Sequence, residues 1–218
     1  MGLVHIPRTF AAAIKGSIQR YRCPLSDDAK SLIGIGLKNP PHIYSARAGI
    51  FDVDVMFHMN NASYLNHAEL ARWQWSTYRG TLFDSFKAST YFIVSGYMVR
   101  FRREIPPLKR FDIETRLGAI DDRNLWVYQT FHHNNNGIGS GKVMCQILTK
   151  AVMVKEGKVL NPRTWAEDNI PAAAKDDIDG LVLASNDIES IFDEKAAQFT
   201  NLEEVMRRSA ADNDDRVS

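Results

Sequence analysis

Residues 52–72 place Asp52 and Asp54, the imidazole of His58, the amides of Asn60 and Asn61 and the start of a helical pattern within one short run. Nothing else in the chain is as chemically specific. A carboxylate followed by polar side chains where a helix begins sits beside backbone N–H groups that have no intrahelical acceptor. Such donors stabilise negative charge growing on a carbonyl oxygen, and a nearby carboxylate can attack or activate water. The chemistry suggested is acyl transfer. Each residue taken singly also has a plainer reading, because asparagine before a helix is a favoured N-cap and aspartate commonly ties down a strand end.

Asp54, His58, Asn60, Asn61, Tyr64, Leu65, Glu69 and Arg72 fall on the pattern Asp-x-Asp, His-x-Asn-Asn-x-x-Tyr-Leu, Glu-x-x-Arg. This resembles the strand-to-helix signature of the hot-dog thioesterase superfamily, whose members include 4-hydroxybenzoyl-CoA and acyl-CoA thioesterases. The spelling His-Met-Asn-Asn is similar to a eukaryotic branch of it. The resemblance implies an α+β hot-dog fold, an antiparallel five-stranded sheet wrapped around one long helix. It implies Asp54 as catalytic base or nucleophile, with His58 and Asn60 orienting water or the carboxylate. The N–H groups of Met59, Asn60 and Asn61 would form the oxyanion hole, and Glu69, about two turns beyond Asn61, is the second-choice carboxylate. Phe57 and Tyr64 would contact substrate, with Arg100 and Arg102 on one strand face reaching a coenzyme A phosphate. Met56, Met59, Trp73 and Trp75 are further candidates for the wall of an acyl tunnel. Acyl-CoA or another acyl thioester is the expected ligand; coenzyme A enters only as part of the substrate, and neither a cofactor nor a metal is expected. Phe57 stands where many active relatives carry glycine. The second expectation is therefore a catalytically inactive hot-dog subunit serving a larger, plausibly mitochondrial, assembly.

The elements needed to position these residues follow from turns and alternation. A first strand is expected at 45–53, and a helix at 62–79 in which Leu65, Ala68, Ala71 or Arg72, Trp75 and Tyr78 keep a helical spacing. Gly80 is placed to end it. Strands follow at 91–103, 111–119, 125–133 and 143–154, separated by Pro106-Pro107, Asp121-Asp122 and the Asn134–Gly137 loop. This divides the chain into an N-terminal helix and arm (1–45), a hot-dog domain (46–160) and an extension (161–218). Weak helices at 187–199 and 202–209 and a disordered end at 212–215 are expected in the extension.

The net charge of +1 hides an imbalance. Residues 1–165 carry 22 Lys and Arg against 12 Asp and Glu, and residues 166–218 carry 5 against 14. A basic body suits coenzyme A phosphates, an acidic partner or the tail itself. Residues 1–22 hold Arg8, Lys15, Arg20 and Arg22 without an acid, and Phe10, Ile14, Ile18 and Tyr21 share a helical face. Mitochondrial targeting, membrane-surface contact through 1–22, docking on a partner and packing on the chain's own domain are the four readings of this helix. Mitochondrial residence is the first expectation for localisation, with cytoplasmic or membrane-associated as the alternative. Cys23 and Cys145 form no metal or disulfide pattern, and Cys145 reads as a buried small residue. No apolar run is long enough to span a bilayer. The basic residues show no interleaving with aromatics, so nucleic acid is not an expected partner. The hot-dog domains that this chain resembles pair edge to edge, which implies a homodimer as the default assembly, with docking to a larger complex as the alternative.

Overall fold

The computed structural model describes residues 2–22, 33–35, 39–82, 87, 89–134 and 141–169. Helix α1 (Gly2–Arg22) leads to β1 (His42–Arg47), a 3-10 turn at Ile50–Asp52 and the long helix α2 (Asn61–Arg79). Then come β2 (Thr90–Phe101), β3 (Arg110–Ile120), β4 (Asn124–His133), β5 (Val143–Lys155), β6 (Lys158–Leu160) and α3 (Pro162–Asn169). The sheet is antiparallel in the order β1-β3-β4-β5-β2, and the short β6 pairs with β5 on the edge opposite β2, just beyond the start of β4. This is the expected hot-dog arrangement with one additional short strand. Cys23, the weak helices at 187–199 and 202–209 and the end at 212–215 lie outside the described residues.

Local sequence sets the limits of α2. Asn60 is its N-cap, its Oδ1 accepting the Ser63 N–H at 2.9 Å. Gly80 is its C-cap in the left-handed conformation at φ 84°. The first strand differs from expectation. It begins at His42, directly after Pro40-Pro41, and ends at Arg47, because Gly49 and Asp52 turn the chain through the 3-10 segment. Asp54 therefore lies in a loop rather than on a strand end.

Tyr64, Ala68 and Ala71 of α2 pack with Phe111, Ile113, Phe131, Cys145 and Ile147 of the sheet. Cys145 is fully buried, and burial pushes its thiol up to about 12. Register shifts at Val94/Gly96 and Leu117/Ala119 mark bulges that add twist where the sheet curls.

The face of α2 directed at α1 is polar yet buried, carrying His67, Gln74 and Thr77. Of the four readings of residues 1–22, the structure shows packing on the chain's own domain. It does so with the polar and small side of the helix inward: Arg8 meets Asp52 and His67, Gln19 accepts from Gln74 Nε2 at 3.0 Å, and Gly16 lies against Thr77. The apolar side, Ile6, Phe10, Ile14, Ile18 and Tyr21, faces outward. A Cβ on Gly16 would come within 2.1 Å of Thr77 Oγ1 and 2.3 Å of the Gln74 carbonyl oxygen. Gly16→Leu should consequently separate α1 from α2. Limited proteolysis is expected to cut the variant within residues 5–22 at least ten times faster than wild type, and equal rates would contradict this docking.

His42 is buried at the same seam, with Nε2 3.3 Å from Gln19 Oε1 and its ring 5.4 Å from that of Tyr78. Burial, helped by Lys15, lowers its pKa to about 3. A histidine held neutral below its unfolded value of ~6.5 contributes stability that is complete above pH ~6.5 and lost as pH falls toward 3. Thermal denaturation should show melting temperature declining across that window, with the decline reduced in His42→Phe.

Candidate active site

The 53–60 loop presents Asp54 and His58 together. Asp54 Oδ1 accepts the Met56 N–H at 2.9 Å, and Oδ2 lies 3.4 Å from His58 Nδ1. The loop closes on itself through Asp54 N–H to the His58 carbonyl and Phe57 N–H to the Asp54 carbonyl. Both side chains are partly exposed, so a substrate can reach them. Phe57 adopts φ 58°, a left-handed conformation that favours glycine. A glycine here would take that conformation without strain. Here the bulky side chain projects outward with 79% of its surface exposed, alongside Val55 and Met56.

Two of the three amides assigned to an oxyanion hole are committed elsewhere. Met59 N–H donates to Ile105 O at 2.9 Å and Asn60 N–H to Asp52 O at 2.9 Å. The N–H of Asn61, at the first position of α2, remains at the positive end of the helix with no intrahelical acceptor. Asn60 itself acts as the cap, and its side-chain oxygen is thereby occupied.

Asp52, two residues away from Asp54, has a different environment. It is buried, and its carboxylate accepts from Arg8 at 2.9 and 3.2 Å and from the Gly49 N–H at 2.8 Å. His67 Nε2 lies 3.0 Å away. Burial alone would raise this carboxyl; the hydrogen bonds from His67 and Arg8 outweigh it and hold the group well below the usual carboxylate range. Asp52 thus locks α1, the loop and α2 together and leaves Asp54 as the reachable acid.

The other candidates separate into three places. Glu69 is partly exposed, 3.2 Å from His5 Nε2 and 3.3 Å from Trp73 Nε1. It borders two concavities: a cavity of about 480 Å³ between α2 and the sheet, and a groove of about 810 Å³ between α1 and α2. Of the five residues considered for an acyl tunnel wall, Trp73 and Trp75 line the first cavity, Met56 and Phe57 are exposed and Met59 is core. Tyr64 is also core: its ring meets Phe101 and Phe131, and its hydroxyl lies 3.4 Å from the Arg103 carbonyl. Arg100 and Arg102 are exposed at the end of β2. Neither lines either concavity, and nor does Asp54.

Sequence reasoning did not single out Arg72 as a site residue. It reaches from α2 to Gln129, Thr149 and Tyr97 inside the 480 Å³ cavity. The available signal was a charge at a helical spacing otherwise occupied by core residues.

Residues 49–176 match the family model described as the thioesterase-like superfamily. Protein THEM6 of Xenopus laevis is 34% identical over 90 residues, covering 41% of this chain and 44% of that protein. A probable thioesterase of Saccharomyces cerevisiae is 25% identical over 123 residues, covering 55% and 51%. These matches span about half the length of either relative. Among solved structures, the probable thioesterase YbaW of Escherichia coli is similar with a TM-score of 0.53 at 20% identity, covering 60% of this chain and 99% of that one.

Proposed function

Because the chain belongs to the thioesterase-like superfamily, we propose that it hydrolyses acyl-CoA-type thioesters at the 54–61 loop. The observation that carries this reading is the reachable Asp54 carboxylate, paired with His58, just before the N-terminus of α2. In this reaction Asp54 takes a proton from a water whose oxygen bonds to the thioester carbon as the C–S bond breaks and the thiolate leaves; or its carboxylate bonds to that carbon, expels the thiolate and forms an acyl anhydride that water then cleaves to the free acid and Asp54. The Asn61 N–H and the positive end of α2 stabilise the negative charge on the thioester oxygen. Arg100 and Arg102 attract the coenzyme A phosphates from solvent. β2 is an edge strand of the sheet and exposes Tyr91, Ile93 and Tyr97, so a second copy pairing along it is the proposed dimer. The test is release of free thiol by the purified protein from saturated acyl-CoA of 8 to 16 carbons. Thiol release above the protein-free rate supports the reading, and its absence across the series contradicts it.

A second reading is favoured by one observation, the outward apolar ridge of α1. Phe10 is 66% and Tyr21 88% exposed on a helix without acidic residues. This surface suits contact with a membrane or a larger mitochondrial assembly in which the domain is an accessory subunit. No helix among the described residues is long and apolar enough to cross a membrane. Fractionation of cells would separate the readings: a large or membrane-bound complex released by Phe10→Glu supports docking, and a free active dimer contradicts it.

A further inference from the structure

We propose that the cavity between α2 and the sheet binds carboxylic acids with an apolar body, the Arg72 guanidinium pairing with the carboxylate. This assigns a ligand class to a second place in the molecule and holds whether or not the Asp54 loop turns over thioesters. The volume, about 480 Å³, lies within the ~300–1,000 Å³ usual for small-molecule sites. Its walls include Trp75, Phe92, Val94, Leu117, Leu125 and Ala151. An apolar chain or ring has its contacts there.

Arg72 gives the cavity its polar end. Nη1 donates to Gln129 Oε1 at 2.7 Å and to Thr149 Oγ1 at 3.3 Å, and Nη2 donates to Tyr97 Oη at 3.2 Å. Gln129 is itself fixed, because its amide nitrogen donates to the Ala68 carbonyl and to Thr115 Oγ1. Its oxygen is thereby turned to Arg72. Three of the five guanidinium N–H donors are accounted for among the described residues, and all the acceptors are neutral oxygens.

Among the described residues no carboxylate forms an ion pair with Arg72. Glu69, one turn earlier on α2, is directed to His5 and Trp73. Glu69, on the same cavity wall, acts on Arg72 through space without pairing with it directly, so a ligand anion has the remaining donors to use. The planar fork matches a carboxylate in two parallel bonds. Burial lowers the pKa of Arg72, and Tyr97 and Glu69 act in the opposite direction. Arg72 nevertheless keeps part of its surface accessible, as a group on a cavity wall must.

The experiment is calorimetric titration of the full chain at pH 8 with octanoate and, as the uncharged control, octanol. Octanoate should bind at least tenfold more tightly than octanol. Arg72→Gln should remove that preference while leaving octanol binding unchanged, and Ser76→Phe, which fills the cavity from α2, should weaken both ligands at least tenfold. Equal binding of the two ligands, no octanoate binding, or a preference that survives Arg72→Gln would overturn the proposal. If circular dichroism shows Arg72→Gln unfolded, Ser76→Phe decides: at least tenfold weaker binding of both octanoate and octanol supports the site, and octanoate binding at the wild-type affinity overturns it.

Discussion

Asp52→Ala is expected to lower stability by about 3–5 kcal/mol, the usual cost of removing one partner from a buried ion pair. The variant leaves the Arg8 guanidinium and His67 without the acceptor that both now reach, and removes the acceptor of the Gly49 N–H. For a domain of this size that corresponds to a fall in melting temperature on the order of 10 °C, readable by circular dichroism. α1 should also become protease-sensitive, because Arg8 is its charged tether to the domain. The acid profile carries the same information. Asp52 has a folded pKa depressed below its unfolded value, so its contribution is present above pH ~3.9 and lost as pH falls further, and that loss should be missing from the variant. A melting temperature within 2 °C of wild type, as for an ordinary surface change, would show that the Arg8–Asp52–His67 cluster does not hold the seam.

The parts of the fold legible in the sequence were those fixed by neighbours in the chain. Asn60 and Gly80 limit α2 because a side-chain oxygen reaches an N–H three residues on and because glycine takes a positive φ; both are local events. The alternation of Phe111, Ile113 and Leu117 with polar residues announced β3, and its inward residues are buried. The start of β1 was obscured by Pro40-Pro41, and its end by Ile50 and Phe51, apolar residues that look like strand but are exposed on the 3-10 turn.

The site was legible in identity and less so in arrangement. Asp52 and Asp54 look alike in sequence, yet Asp52 is removed from solvent by residues 44 positions before it and 15 after it. No spacing rule reports such contacts. The orientation of α1 had a faint signal in Ala12 and Gly16, small residues that permit close approach, against the stronger apolar pattern of Phe10, Ile14 and Ile18 that faces outward. Met59 and Asn60 were assigned free amides because a helix start has unpaired donors; the long-range acceptor Ile105 O takes one of them.

Asp54→Asn should reduce thioester hydrolysis by ~10²–10⁴-fold, the contribution typical of a positioned acid–base group. The substitution preserves Oδ1 as acceptor for the Met56 N–H, so the loop should fold unchanged and circular dichroism should match wild type. Only the ability to accept a proton or attack carbon is lost. Glu69 provides the internal comparison, since it borders both concavities and is the second-choice carboxylate, carried by α2 itself. The deciding measurement is kcat/KM for one medium-chain acyl-CoA with wild type, Asp54→Asn and Glu69→Gln in parallel. The account predicts collapse for Asp54→Asn and less than a tenfold change for Glu69→Gln; undiminished turnover by Asp54→Asn, with collapse for Glu69→Gln, would contradict it and move the chemistry to the cavity side of α2.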